Sequence, residues 1–265
     1  MGDDRTQSYY FLNTVARAVA VLDQFTGPDA ELGVAEIARR LNLHKSVAHR
    51  ILATLADLGL LANGNTNGTY RLGVKSLQLG LSYLRHSPID QVAQTHMMRL
   101  AQLLPDFAFH VAILDGVDIV YQKTIVGARA NWWVSPTLGR RYMAYCTALG
   151  KVLLAYLSPS ELATYLSKVE LRPLTPTTIT SAEALRRELE QVRIQEYAYD
   201  NAENQADRCC VSAPIRDHTG RVVAALSLAG LKEKIAEYDR EQLVAIIKEA
   251  AAAISRDLGF ATRRA

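Results

Sequence analysis

A chain of 265 residues, 49% of them hydrophobic, is long for one small domain and carries enough apolar material for a core in each of two. Its net charge of +3 is only mildly basic, which fits a nucleic-acid partner and many ordinary enzymes alike, so the placement of charge must decide. Three cysteines, two of them adjacent at Cys209 and Cys210, exclude a disulfide framework and a four-ligand zinc site; MGDDRTQSYY lacks the features of a signal peptide, no apolar run reaches roughly 18 residues, and a cytoplasmic protein without a membrane segment is expected.

Leu12, Val15, Ala16, Val19 and Leu22 keep a helical period from Tyr10 to Phe25, and the stop follows at Thr26, Gly27 and Pro28. A second, shorter helix is predicted from Gly33 to Leu41, burying Val34, Ile37, Ala38 and Leu41, with Asn42 as its breaker. The third is predicted from Lys45 to Leu58 on the stripe Val47, Ile51, Leu55 and Leu58. Three helices with a tight turn between the last two make a helix-turn-helix. GLLANGNTNGTYRLG then gives a short strand, a turn rich in Gly and Asn, and a second strand carrying Tyr70 and Leu72, the wing of a winged helix. Helical spacing returns at Leu77, Leu81 and Leu84 and ends at His86, Ser87 and Pro88, where the domain boundary is placed.

Beyond that boundary the pattern changes. A helix over Ile89 to Leu104 precedes the strands FHVAIL and VDIVYQK, which turn at Asp115 and Gly116. Two short helices between Thr147 and Leu166 break at Ser158 and Pro159, and another runs through ALRRELEQVRIQ. CCVSAPI and VVAALSL alternate as strands around RDHTG, and an amphipathic helix from Asp239 to Leu258 follows. The whole reads as α+β: a winged helix-turn-helix over 9–72, a linker helix over 73–87, and a domain of antiparallel sheet and helices over 88–262.

No carboxylate lies between Ile37 and Ala56, while Arg39, Arg40, His44, Lys45, His49 and Arg50 all do. At about 100° per residue, the stripe above puts Lys45, Ser46 and His49 on the far side of the third helix with Arg50 at its edge. A solvated helix pair would also show such a face; the adjoining glycine-rich hairpin favours a reader of double-stranded DNA. Ser46 and His49 are then placed for base edges, and Arg39, Lys45 and Arg50 for phosphates. Tyr70 and Arg71 would reach the backbone or minor groove, with packing on the inner face of the wing as the alternative for Tyr70.

Catalytic chemistry is missing. Gly150 and Lys151 are not part of a GxxxxGK[ST] phosphate loop, and there is no HExxH, GxSxG or paired-cysteine motif. Cys210 with His218 is a poor nucleophile and base, since the two sit toward opposite ends of a predicted strand and turn. Neither a catalytic residue, nor a metal ligand, nor a cofactor is expected, and the rivals to a gated regulator are a constitutive architectural DNA binder and an enzyme.

LNLHKSVAHRILATLADLGLL and GTYRLGVKSLQLG, followed by CTALGKVLLAYL, TITSAEALRRELEQVRIQEYAYDNAENQ and SAPIRDHTGRVVAALSLAG, resemble the IclR-type bacterial transcriptional regulators in order and over nearly the whole chain. The resemblance implies a DNA-binding winged helix, a linker helix and a GAF-like domain that binds a small effector and assembles dimers or dimers of dimers on an operator. Carried over residue by residue, the family's effector pocket becomes Tyr145, Thr147, Ala148, Asp200, Arg208, Cys210, Ser227 and Ala229. A serine often stands where Ala229 does, and a histidine commonly precedes the Ala-Thr of the motif where this chain has Tyr145 and Cys146. With Tyr142, Tyr145 and Trp132 or Trp133 near the entrance, these departures suit an aromatic acid better than a short aliphatic keto or hydroxy acid. Two readings stay open: the tryptophans as a packed loop or subunit contact, and Arg208 as a surface partner of Asp207 or Glu203.

Overall fold

The structure, a computed structural model, describes residues 11–27, 29, 31–130 and 138–261. The chain divides into two compact units, Met1–His86 and Ser87–Ala265. In the first, α1 (Asn13–Asp23) leads through a 3-10 turn to β1 (Leu32–Gly33), then α2 (Val34–Arg40), α3 (Lys45–Asp57), β2 (Leu61–Asn63), β3 (Thr69–Leu72) and α4 (Val74–Arg85). Asn42 takes φ 50° in the turn between α2 and α3, a left-handed position that asparagine tolerates better than most side chains. The three strands form an antiparallel sheet in the order β1-β3-β2, with Leu32 opposite Tyr70 and Leu61 opposite Leu72.

Val21, Phe25, Ile37, Ala38, Ala48, Leu52, Leu55, Leu61 and Tyr70 fill the core of this unit. The buried stripe of α3 is therefore Ala48, Leu52 and Leu55, turned from the expected one: Val47 and Ile51 are half-buried and Leu58 is exposed. Small Ala48 and Ala38 let α3 and α2 pack closely, and that rotates Leu52 inward. A second correction concerns α1, whose buried residue is Val21, whereas Leu12, Val15 and Val19 face solvent. The helix carries two apolar stripes, and this chain alone covers one.

The second unit begins with α5 (Pro88–Leu103), β4 (Ala108–Asp115), β5 (Asp118–Val126) and β6 (Arg141–Met143). A 3-10 turn, Ala144–Cys146, leads into α6 (Ala148–Ala155), α7 (Pro159–Lys168) and α8 (Ala182–Gln195). Then follow β7 (Ala198–Asn201), β8 (Arg208–Arg216), β9 (Val222–Leu231), α9 (Lys232–Ile235) and α10 (Arg240–Asp257). Six antiparallel strands pair in the order β6-β5-β4-β9-β8-β7. Alternation along each strand sends Phe109, Val111, Val211, Ala213, Leu226 and Leu228 to a face packed with Met97 and Leu100 of α5 and Leu243, Ile247 and Ile254 of α10. Ala112, Tyr121, Ala198 and Ala225 share the opposite core with α6, Leu185 and Leu189 of α8, and Tyr165 of α7. Helix α7 starts with a capping box between Ser158 and Glu161, directly before Pro159. Gly150 has no room for a side chain: a Cβ there would run into the backbone of Ala144, so α6 can lie against its own entry turn.

Candidate functional site

Two sites emerge, one in each unit. On α3, Lys45, Ser46, His49 and Arg50 are all exposed. Arg39 is exposed as well, but its guanidinium donates to Glu36 through Nε (3.0 Å) and Nη2 (2.6 Å). Arg40 is tied to Glu36 at 2.6 Å and to Asp29 at 2.7 Å. These bonds hold the Glu36 carboxyl down at about 2, first through Arg39 and then Arg40. Arg39, expected as a phosphate ligand, is thus exposed but ion-paired in the free protein: the acid-free stretch begins just after the acid that takes both arginines, and on a helix i and i+3 or i+4 are neighbours.

In the wing, Glu31 accepts hydrogen bonds from the Asn65 N–H (2.8 Å), the Thr69 hydroxyl (2.9 Å) and the Thr66 N–H (3.5 Å). That carboxylate shapes the tip of the hairpin. No sequence signal singled it out, because its partners lie more than thirty positions away. Tyr70 is a core residue, 9% exposed, which corrects its assignment to the groove; Arg71, its neighbour on β3, points outward as the alternation demands.

The second site lies on the α6 side of the large sheet. Asp200 on β7 is opposite Cys210 on β8, which is opposite Ala229 on β9, which is opposite Ala108 on β4. Two residues along, Ser212, Ser227, His110 and Thr124 stand in a second row. Opposed residues share a face, as do residues two apart, so Asp200, Cys210, Ser227 and Ala229 are brought together with the unanticipated His110 and Thr124. Arg208, two residues before Cys210, belongs to the same face; its Nε is 3.8 Å from Asp207 Oδ1, and its charge is felt by His110, Tyr121 and Cys210.

His110 is fully buried, with Nδ1 3.0 Å from the Thr124 hydroxyl. Burial, and then the charge of Arg208, lowers its pKa to about 3, so the ring is neutral at physiological pH. It meets Tyr121 edge-on at 4.9 Å, and Tyr121 meets Tyr142 at 5.2 Å, giving the site an aromatic wall. The signal for His110 was its place in FHVAIL: between Phe109 and Val111, strand alternation puts it on the face opposite to theirs.

Residues of the α6 entry turn are buried in the same core but their polar atoms are largely committed. The Tyr145 hydroxyl donates to the Arg172 carbonyl (2.9 Å) and accepts from the Arg172 N–H (3.1 Å), so what this residue offers the pocket assigned to it by resemblance is its ring. Thr147 caps α6 by accepting from the Gly150 N–H at 3.1 Å, and Ala148 opens the helix. Trp132 and Trp133 lie outside the described residues. Lys151 is buried in a set of three hydrogen bonds to Glu203, Glu188 and the Tyr199 carbonyl, a structural setting unlike that of a phosphate-loop lysine. Burial pushes the Cys146 thiol up to about 12 and raises that of Cys210 well above its usual range, so both are thiols, not thiolates, at neutral pH. No cluster of potential metal ligands occurs among the described residues, and no described helix is long and apolar enough to cross a membrane.

Comparison with known proteins agrees with this architecture. Residues 14–63 match the IclR helix-turn-helix domain, and residues 81–256 match the bacterial transcriptional regulator IclR C-terminal family. The chain is 35% identical over 249 residues to the HTH-type transcriptional regulator XynR of Escherichia coli, covering 94% of this chain and 98% of that one. It resembles the crystal structure of the Thermotoga maritima IclR, with a TM-score of 0.72, 35% identity and coverage of 94% and 100% of the two chains. An IclR homologue from Microbacterium hydrocarbonoxydans, solved with 4-hydroxybenzoate, matches with a TM-score of 0.79 and 30% identity over 92% of this chain and 98% of that one. With the helix-turn-helix, the antiparallel C-terminal sheet and full-length relatives in agreement, the chain belongs to the IclR family of bacterial transcriptional regulators, which are not enzymes.

Proposed function

We propose that this regulator binds operator DNA through α3 and the wing, controls a catabolic operon, and responds to a small organic acid, aromatic in preference, held in the C-terminal unit. The observation that carries this reading is the set of polar residues Asp200, Ser227, His110 and Thr124, which share one sheet face across two adjacent rows in an otherwise apolar core beside Tyr121 and Tyr142. Buried polar groups cost stability unless they are satisfied, and a cluster of them with an aromatic wall suits a flat, carboxylate-bearing ligand. Arg208 and the free N–H groups that any helix start leaves, here at Ala148, supply the attraction for an anion. The relative that carries 4-hydroxybenzoate supports the aromatic class.

The protein acts as a dimer or dimer of dimers. No residue of α4 is buried, Leu77 and Leu81 stand in solvent, and the second stripe of α1 is bare at Leu12 and Val15. A second copy is the occupant that also satisfies the DNA-binding geometry, since one winged helix reads a few base pairs and two symmetric copies read paired half-sites.

The test measures binding of 4-hydroxybenzoate and pyruvate by calorimetry, together with affinity for duplexes selected from a random library. Tight 4-hydroxybenzoate binding that changes DNA affinity, weakened by about 1.5–3 kcal/mol in Arg208→Ala, is expected where the guanidinium meets the carboxylate. Tight binding of pyruvate alone, undiminished in that variant, overturns both the ligand class and its anchor. DNA affinity that no ligand alters points instead to an architectural binder.

A further inference from the structure

The Asp200 end of the site holds more acid than base. Lys151 is 1% exposed, and its ammonium donates to Glu203 Oε1 (2.6 Å), Glu188 Oε1 (2.9 Å) and the Tyr199 carbonyl (2.6 Å). All three of its protons are therefore engaged. Glu203 in turn donates its backbone N–H to Asp200 Oδ1 at 2.7 Å. The turn between these two acids is fixed from the other side: Thr175 and Thr177 donate to the Ala202 carbonyl at 2.7 and 2.9 Å, and Thr178 donates to the Glu203 carbonyl at 2.6 Å. Ala202 sits in the left-handed region with φ 60°, so the turn has one shape available to it.

Within this enclosure two carboxyl groups, Asp200 and Glu203, are nearly fully buried, and the Glu203 Oε2 atom has no hydrogen-bond partner. Glu188, the third acid, is partly exposed and reaches the others only through Lys151. One buried ammonium compensates one buried carboxylate; a second, uncompensated one is costly, and the group relieves the cost by keeping its proton. Glu203 touches the ammonium. Asp200 does not, and it is the acid that stands in the row with Cys210 and Ala229.

We propose that Asp200 meets the effector as a neutral carboxyl that donates a hydrogen bond, that Lys151 and Glu203 are positioning residues which hold it in that role, and that an anionic effector binds there with uptake of a proton from solvent. This rests on the organic-acid reading of the site given above. The groups that bear on Asp200 act in both directions. Desolvation is the largest influence and Glu203 adds to it, while the hydrogen bond from the Glu203 N–H and the charge of Lys151 oppose it, leaving the carboxyl raised to about 7. Cys210 on β8, Tyr121 on β5 and Cys146 in the α6 entry turn face it as neutral groups. Arg208, on β8 two residues before Cys210, adds a second positive charge that acts on Cys210 together with that of Lys151. An effector carboxylate brought to this end meets a donor when Asp200 is protonated and a like charge when it is not. Proton balance is simple: one solvent proton completes the Asp200 carboxyl, and no other bond is made or broken.

Calorimetry of the full-length protein with 4-hydroxybenzoate at pH 8, in two buffers of different ionisation enthalpy, reads the proton directly. Uptake close to one proton per bound anion is expected, with affinity falling about tenfold per pH unit above 7. Asp200→Asn, whose amide donates at every pH, should bind with no proton uptake and with affinity flat between pH 6 and 9. Binding by the wild type without proton uptake overturns the proposal. The Asp200 carboxyl is also followed by carbon NMR in the ligand-free protein, in wild type and in Glu203→Gln. A midpoint near 7 that moves to lower pH in Glu203→Gln supports the arrangement, even where no acid binds, and then only the organic-acid reading of the site fails. A wild-type midpoint below 5, or one indifferent to the loss of the Glu203 charge, overturns the arrangement itself.

Discussion

Glu36 holds the guanidinium of Arg39 on the solvent face of α2 by two hydrogen bonds, and the same carboxylate takes Arg40. In the free protein the first basic pair of the helix-turn-helix is thereby ion-paired locally, with Glu36 of its own helix and, for Arg40, with Asp29. Exposed ion pairs of this kind are weak, so a duplex can compete for the arginines. Glu36→Gln should strengthen binding to DNA of any sequence and steepen the salt dependence by about one unit of slope. Filter binding at several salt concentrations measures both; an unchanged slope would mean that the arginines never reach phosphate.

On α3 the exposed residues divide by reach. Lys45, in the first turn, offers a point charge suited to phosphate, so Lys45→Ala should weaken binding uniformly and flatten the salt dependence by about one unit. His49 lies on the same exposed face one turn further along and can reach a base edge. His49→Ala should cost about 1–3 kcal/mol on the preferred duplex and much less on others, relaxing discrimination at one position. Competition binding against a set of single-base variants distinguishes the two behaviours.

Assembly is checked by charge. Leu81 on α4 and Val15 on α1 are both about half exposed, at 48% and 56%, and neither supports the core of its own unit. Leu81→Glu and Val15→Glu should leave the folded monomer intact while shifting sedimentation toward it at micromolar concentration. A wild-type protein that sediments as a monomer both free and on DNA removes the idea.

How much of this was legible in the sequence depends on how far apart the partners are. The helix-turn-helix, the wing and the boundary at Ser87 follow from local periodicity and turn residues, which act over a few positions. The inward rotation of Leu52 was not legible, because Ile51 and Leu52 are both apolar and only the packing of α3 in the core with Ala38 and Ala48 chooses between them. Tyr70 was ambiguous for a similar reason: an aromatic residue in a two-sided strand packs or protrudes according to the face its register assigns. Asp200, Cys210, Ser227 and Ala229 were named through resemblance alone, and the strand register is what brings them to one face. Glu31 with Asn65, and Lys151 with Glu203, are pairings across 34 and 52 positions that no local pattern announces.

The two buried titrating groups of the site, His110 and Asp200, predict an unusual dependence of stability on pH. His110 has its pKa lowered to about 3 in the folded chain, against about 6.5 unfolded, so the unfolded state binds the extra proton between those values. Its contribution is fully present above about pH 6.5 and is lost as the pH falls toward 3. Asp200 has the opposite sense. With its folded value raised to about 7 and an unfolded value near 3.9, the folded state binds the extra proton, and burying this group costs nothing below about pH 4 but progressively more up to about pH 7. Between about pH 4 and 6.5 the two slopes oppose, and the wild type should show a broad plateau. Asp200→Asn removes one slope, so its stability relative to wild type should rise by about tenfold in the folding constant per pH unit across that window and level off above 7. His110→Asn should show its smallest difference from wild type in acid, because the charge the histidine must shed on folding is absent from the variant. Urea denaturation of the three proteins at pH 4, 5, 6, 7 and 8 reads these differences. A variant-to-wild-type difference for Asp200→Asn that does not change with pH would show that the carboxyl is ionised throughout, and would remove the proton from the site.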